Sequence, residues 1–149
     1  MKKLAICGII MLLTACRPEY EETYSFTGDK WDRFEQVNYQ AVLEHPGEYD
    51  ISLTLIYSEE AIRDQSFSLS LSFSTPYQEE RYREQEAQIF ENGEATGKPV
   101  KEGYYQIEIP FFRAVNLKEK GVYEFDVDNL MSRYTSQGIH KLKLNLNPV

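Results

Sequence analysis

Residues 67–73 read Phe67-Ser68-Leu69-Ser70-Leu71-Ser72-Phe73, with a large apolar residue at every second position. Successive side chains of a β-strand point to opposite faces, so this period of two predicts one apolar face and one serine face. Strands of this kind occur in antiparallel sheets that cover a core on one side and meet water on the other. The stretch therefore predicts a half-buried strand whose phenylalanines and leucines enter the core.

The same alternation recurs before and after this strand. Turn residues separate the blocks, as in His45-Pro46-Gly47-Glu48, Ser74-Thr75-Pro76 and Lys120-Gly121. Shorter strands are expected near residues 24–26, 36–43 and 83–90. Seven or eight strands in residues 25–149 predict an all-β domain, an antiparallel β-sandwich with the expected topology of a jelly roll. The further alternating positions are Tyr49, Ile51, Leu53, Leu55 and Tyr57; Tyr105, Ile107 and Ile109; Tyr123, Phe125 and Val127; and Leu142, Leu144 and Leu146.

One short helix is expected near the C-terminus. Asp128 or Asn129 is a suitable N-cap, and Gly138 is a suitable stop. Its apolar side would be formed by Leu130, Met131 and Tyr134. A helix of one or two turns is predicted there, closing one end of the sandwich.

The N-terminal residues have the pattern of an export signal. Lys2 and Lys3 precede ten largely apolar residues, 4–13, which are too few to span a bilayer and predict a removable segment. The box Leu13-Thr14-Ala15-Cys16 resembles the lipobox of bacterial lipoproteins. It predicts a signal peptide over residues 1–15, lipidation of Cys16 and a tether over residues 16–24. The alternative is an ordinary secretory signal with a chance cysteine.

The residues that follow Cys16 indicate in which membrane the anchored protein is expected. Arg17, rather than an aspartate, follows Cys16, which favours the outer membrane over retention in the inner one. Glu19, Glu21 and Glu22 are consistent with display on the cell surface, or with a solvated linker. The face of the outer membrane therefore stays open, and the expected partner at this end is the membrane itself.

Charge and cysteine content exclude several classes of function. Cleavage after residue 15 removes two lysines and no acid, so 16 basic and 24 acidic residues become 14 and 24, a net charge of −10. Nucleic acid attracts basic patches, so it is not an expected partner. Cys7 leaves with the signal and Cys16 carries lipid, so no thiol is left for a disulfide, a metal or a nucleophile.

No arrangement of residues with catalytic spacing is present. His45 and His140 lack a second histidine three or four residues away, as zinc sites on one element require. The serines of residues 68–74 lie on a regular strand, without the sharp turn that activates a nucleophile. Asp126, Asp128 and Asn129 are better explained as strand-face and capping residues than as calcium ligands. A non-catalytic protein without metal or cofactor is expected.

Aromatic residues make up 13% of the chain, and several fall outside the inward positions of the strands. Such rings suit contact with a protein or stacking on a sugar, whereas filling of the core is the alternative interpretation. The candidate contact residues are Trp31, Phe34, Tyr77, Tyr82 and Tyr104.

The C-terminal third resembles a known family. Gly121-Val122-Tyr123-Glu124-Phe125, Leu130-Met131-Ser132-Arg133 and the Gly138-Ile139 strand follow one another as in GldH, the gliding-motility lipoprotein family of Bacteroidetes. Trp31 and Phe34 are similar to that family's Trp…Phe pair. The middle departs from the family, at residues 56–60 and 63–67.

That resemblance implies a lipoprotein that assembles with other envelope proteins of a motility or secretion apparatus. A surface module that binds carbohydrate is the alternative. An exposed row of aromatic rings across one sheet would favour the carbohydrate module, and a patch without a groove would favour protein contact.

Overall fold

The computed structural model describes residues 20–149, so the expected signal peptide and Cys16 lie outside the described residues. This part of the chain contains thirteen β-strands and one short 3-10 turn, Thr27–Asp29. It contains no helix of the length and hydrophobicity that crossing a membrane requires. The strands are β1 (Tyr20–Ser25), β2 (Lys30–Asp32), β3 (Val37–Leu43), β4 (Gly47–Ser58), β5 (Ser66–Ser74), β6 (Glu80–Gln88), β7 (Phe90–Glu91), β8 (Glu94–Ala95), β9 (Lys98–Lys101), β10 (Tyr104–Leu117), β11 (Gly121–Asn129), β12 (Thr135–Gln137) and β13 (Ile139–Pro148).

Nine of these strands form the two sheets of a sandwich with jelly-roll topology. The larger sheet has the order β1-β13-β4-β10-β9, and the smaller has the order β3-β11-β5-β6. Without β9 and the short strands, eight strands remain, and they can be numbered one to eight along the chain: β1, β3, β4, β5, β6, β10, β11 and β13. In these numbers the order of the larger sheet is 1-8-3-6, and the order of the smaller sheet is 2-7-4-5. This is the order of two interlocked Greek keys, and every pairing is antiparallel. The all-β sandwich predicted from the alternating strands is confirmed.

The core lies between the sheets and is built from the alternating positions. On β5, the phenylalanines and leucines of residues 67–73 are all buried. They face inward residues of β4 and β13 such as Leu53, Leu55 and Leu144, which are also buried. The serine face is less open than expected, because Ser70 is buried between Asp128 of β11 and Glu84 of β6, which lie opposite it.

The predicted short helix is wrong. Strand β11 continues to Asn129, and β12 pairs with β2. The Asn129 carboxamide oxygen accepts the Met131 N–H at 2.9 Å, and its Nδ2 donates to Ser136 Oγ at 3.1 Å. Asparagine thus forms an Asx turn where a helix cap was expected. Between β11 and β12, the Met131 N–H is bonded to the Asn129 side chain, and the Leu130 N–H and the Tyr134 carbonyl oxygen are bonded to backbone groups of other segments. These groups therefore do not form helical hydrogen bonds.

Residues 20–24, which the sequence assigned to a tether, belong to β1. Tyr20 lies opposite Leu146 and Ser25 opposite Lys141, so β1 pairs with β13 along its length. Tyr20 and Tyr24 pack against the core with their rings. Their spacing of four matches the strand period, so both rings lie on the inner face and hold the segment to the domain.

The sandwich has two ends, which we call the near end and the far end. The near end carries the first described residue, Tyr20, and the turns at residues 44–46, 75–79 and 118–120. The far end carries β2, β12 and the loops at residues 59–65, 89–103 and 130–134. The described chain therefore starts at one end, and the long loops gather at the other.

Candidate partner-binding surfaces

Trp31 is a core residue, so its assignment as a contact residue is wrong. Its side chain is 0% exposed. The indole ring lies 5.0 Å from the ring of Phe26 and is stacked on Phe67 at 5.8 Å. Its Nε1–H donates to the backbone oxygen of Glu35 at 3.1 Å, which satisfies the polar atom of a buried indole. Trp31 closes the far end of the core from inside.

Tyr104 is held in a polar cluster at the far end. Its hydroxyl donates to Asp29 Oδ2 at 2.5 Å, and His140 Nδ1 lies 2.6 Å from the other Asp29 oxygen. The Tyr104 and His140 rings are 4.7 Å apart, and Lys101 Nζ lies 4.3 Å from the Tyr104 ring centre. Tyr104 therefore fastens the 3-10 turn to the sheet, and its hydroxyl is already engaged.

The imidazole of His140 is oriented by Asp29 on one side and faces Lys101 on the other. Its Nε2 lies 3.4 Å from Lys101 Nζ, so the open nitrogen faces an ammonium group rather than a hydroxyl or a thiol. General-base catalysis would need a reacting group at that nitrogen. The cluster fits a structural clasp between Asp29, β10 and β13.

The clasp lowers the pKa of Asp29. Burial by itself raises the pKa of this carboxyl, but hydrogen bonds from Tyr104 and His140, with the charges of His140 and Lys101, hold it below its usual range. An acid whose pKa is lower in the folded state stabilises the fold above its unfolded pKa, about 4. That stabilisation is lost as the pH falls through the folded pKa.

We therefore expect Asp29→Asn to flatten the acid side of the stability profile. Between about pH 5 and pH 3, the wild type should lose more free energy of unfolding than the variant, since the variant has no Asp29 charge to lose. Urea unfolding at a series of pH values measures both profiles. Asp126, whose pKa is raised, acts in the opposite direction but equally in both proteins. Parallel profiles would show that the clasp does not favour the charged carboxylate.

Phe34 is exposed at the far end, as expected for a contact residue, and Tyr134 lies beside it. The side chains are 76% and 64% exposed, and their rings meet edge to face at 6.1 Å. The Arg33 guanidinium lies 5.9 Å from the centre of the Phe34 ring. Arg33, Phe34 and Tyr134 are called the far-end patch below. Leu130, in the same loop as Tyr134, is also exposed.

The backbone under the far-end patch is held in place. The Arg33 N–H donates to the Tyr134 carbonyl oxygen at 2.6 Å, and Thr135 Oγ1 donates to Asp32 Oδ1 at 2.7 Å. Strands β2 and β12 pair directly behind these residues. The two rings are therefore presented on a paired scaffold, which lowers the entropy lost on binding.

Tyr82 lies elsewhere, on the outer face of the smaller sheet. It is exposed, and it lies opposite Ser72, which in turn lies opposite Asp126. With Glu80, Ser72, Ser74, Asp126 and Asp128 it lines an open depression of about 510 Å³. Burial, then the charges of Asp128 and Glu124, raise the pKa of Asp126. Phe73 and Arg81 also line the depression, but Phe73 is buried, so Tyr82 is its exposed aromatic residue.

Tyr77 is exposed in the β5–β6 turn at the near end. The five predicted contact residues are therefore not brought together. One is buried, one is held in the clasp, and the other three lie at the far end, on a sheet face and at the near end. They form no row of rings across one sheet. In residues 20–149, no group of three or more histidine, cysteine, aspartate or glutamate side chains has an arrangement that would hold a metal ion.

Comparison with known proteins finds similar chains among the solved structures. No family model and no curated protein matches the chain. A chain in the structure of infectious bursal disease virus Gx strain is similar with a TM-score of 0.39 and 7% sequence identity, over 89% of this chain and 33% of that chain. The protein thus spans about a third of the viral chain. The jelly-roll assignment comes from the strand order described above.

Proposed function

We propose that this protein is a non-catalytic lipoprotein, anchored in the outer membrane through lipid on Cys16, that binds another envelope protein. The far-end patch is the observation that carries the proposal. The GldH-like residues at the C-terminus support a role as an accessory of a gliding-motility or secretion apparatus, and the partner is then a component of that apparatus.

The composition of the far-end patch suits contact with a protein. Aromatic and arginine side chains are enriched at the energetic centres of protein interfaces. The patch has two exposed rings with a guanidinium beside one of them. A protein surface is the class of partner that flat, rigid aromatic residues of this kind fit.

The position of the patch also suits an anchored protein. Residue 20 is at the near end, and β13, with ten residues, runs towards it from the far end. At about 3.3 Å per residue the strand is about 33 Å long. A protein tethered through Cys16 would hold the patch at the end away from the anchor, where a partner in the envelope can reach it.

The first test removes both rings. Phe34→Ala with Tyr134→Ala should abolish capture of the partner, since each central aromatic residue of an interface contributes about 2 kcal/mol or more, roughly thirtyfold in affinity. Both side chains are exposed, so the melting temperature should stay unchanged. Crosslinking in cells through a photoreactive residue at position 132, an exposed position in the same loop as Tyr134, followed by membrane purification, measures the loss.

Tyr82→Ala is the matched control for that test, because Tyr82 is also exposed but lies on the outer face of the smaller sheet. It should leave capture unchanged. A double variant that still crosslinks to the same protein at wild-type yield would exclude the far-end patch as the interface.

The second test concerns the anchor. Cys16→Ser should release the protein from the membrane fraction, because the serine side chain has no sulfur to which the lipid could be attached. Metabolic labelling with a fatty acid should mark the wild type and not the variant. Equal labelling of both proteins, or of neither, would show that Cys16 is not the lipidated residue.

The depression around Tyr82 favours one second candidate, a carbohydrate-binding module. A ring that stacks on a sugar, surrounded by carboxylates and hydroxyls that accept or donate hydrogen bonds, is a plausible arrangement for a glycan. Glycan-array binding that is lost in Tyr82→Ala and kept in Phe34→Ala would support this function. Absence of binding by the wild type would leave protein contact as the proposal.

A further inference from the structure

We infer that the near end is a membrane-contacting surface, in which Val42, Val122 and Tyr77 rest on the bilayer that holds the lipid of Cys16. This inference rests on the proposed lipidation of Cys16. The occupant to which it commits is the headgroup and upper acyl region of that same bilayer.

The outer face of the smaller sheet changes from polar to apolar at the near end. Outward positions along β3 and β11 are polar through most of their length: Asn38, Gln40, Glu124, Asp126 and Asp128. At the near end the outward pair is Val42 and Val122, which lie directly opposite each other. They are 61% and 44% exposed. On β3 and β11, the outward positions are therefore apolar only at this last pair.

The β5–β6 turn extends this apolar area. Val122 and Pro76 line the same small depression. Gly121, next to Val122, is close enough to Pro76 that a Cβ on Gly121 would lie 3.0 Å from Pro76 Cγ. Tyr77 follows Pro76 and is exposed. Tyrosine is enriched at membrane interfaces, where its ring contacts apolar chains and its hydroxyl stays hydrated.

The chain leads from this surface directly to the anchor. The Tyr20 hydroxyl donates to the backbone oxygen of Gln40 at 2.7 Å, two residues before Val42. Cys16 is four residues before Tyr20. Four residues span at most about 14 Å, so a lipid on Cys16 lies within that distance of Tyr20. Tethering of this kind gives a high effective concentration, so a contact too weak to hold a free protein is populated.

The contact is apolar rather than electrostatic. Lys118 and Lys120 are exposed at the near end, but so are Glu44, Glu48, Glu79 and Glu80. These acids outnumber the two lysines, and the whole protein is acidic, so attraction to anionic headgroups does not drive the contact. We therefore expect the docking to persist at high salt, in contrast to binding by a basic patch.

A depth measurement on the lipidated full chain tests the inference. The chain has two cysteines, Cys7 in the expected signal and Cys16, so a new single cysteine in the mature protein can be labelled selectively. Val122→Cys, Tyr77→Cys and Tyr134→Cys are each purified from membranes and labelled with bimane. They are then reconstituted in vesicles of phosphatidylethanolamine and phosphatidylglycerol with brominated acyl chains. We expect quenching at 122 and 77 and none at 134.

Flotation of the same vesicles distinguishes failure of the near-end docking from failure of the lipid anchor. Protein that floats but shows no quenching at 122 and 77, or equal quenching at 134, overturns the docking and leaves the anchor in place. Protein that does not float and has no acyl mass on Cys16 overturns the anchor, and the docking with it. Val42→Ser combined with Val122→Ser should abolish quenching at 77 without changing flotation. Phe34→Ser alone is the matched control, because it removes an exposed far-end ring and should leave the quenching at 77 unchanged.

Discussion

Trp31→Ala is expected to lower the free energy of unfolding by about 3–5 kcal/mol, the cost of removing a large buried aromatic side chain. The indole is fully buried between Phe26 and Phe67, and its N–H is bonded to the Glu35 carbonyl oxygen. The variant loses ring contacts, leaves a cavity at the far end of the core and frees a carbonyl oxygen. Urea unfolding followed by far-UV circular dichroism measures the loss.

Phe34→Ala is the matched control for Trp31→Ala. The two residues are three positions apart, but Phe34 is 76% exposed, so its truncation should change the stability by less than about 0.5 kcal/mol. A small effect at Trp31 would mean that the indole does not fill the core. Trp31→Ala is therefore unsuitable for binding experiments, because a loss of binding in this variant would follow from unfolding rather than from a lost contact.

The main strands and most of the core were predictable from local pattern. Leu69 and Leu71 on β5, or Leu53 and Leu55 on β4, sit in long runs of period two, and burial of one face of a strand leaves that period in the sequence. The order of the strands in each sheet could not be derived from the alternation, which shows the face of a strand that is buried but not the strand that lies next to it. The jelly roll was therefore expected from the number of strands rather than from their pairing.

Trp31 was misassigned because β2 has only three residues. A strand that short contains no period from which an inward side can be inferred. Its burial comes from Phe67 and Phe26, which approach it through tertiary packing. Tyr134 was misassigned for a related reason. Its spacing from Leu130 fits a helix, but Asn129 and the β2–β12 pairing hold this segment as a loop, which leaves the tyrosine in water.

The candidate surfaces depend on pairings between distant parts of the chain. Phe34 was recognised as exposed, but its neighbour Tyr134 is a hundred residues away in the sequence. Nothing in the local sequence distinguishes Val42 and Val122 from other strand residues. The register of β3 and β11 places them opposite each other at one end of the sandwich. The jelly-roll order creates both juxtapositions, so the two ends of the sandwich acquire different exposed side chains without a motif in the sequence.

The junction at Gly138 is the position where a single added methyl group should have the largest effect. Gly138 has φ +83°, and a Cβ there would lie 2.4 Å from the backbone nitrogen of Ile62. Its N–H donates to the Asp29 carbonyl oxygen at 2.7 Å, and its carbonyl oxygen accepts the Ser58 N–H at 2.8 Å. Three segments of the far end therefore meet at one residue without a side chain.

Gly138→Ala should lower the free energy of unfolding by about 2–5 kcal/mol, from about 1–2 for the left-handed backbone and about 1–3 for overpacking against Ile62. Gly103→Ala separates the two terms, because Gly103 has φ +78° but no atom within 4 Å of the added Cβ. The control should show only the backbone cost, about 1–2 kcal/mol. Equal losses in the two variants, measured by urea unfolding, would show that the 59–62 loop moves away from Gly138 without cost. A larger loss at Gly138 would show that close backbone packing holds this loop, the 3-10 turn and β13 together beneath the far-end patch.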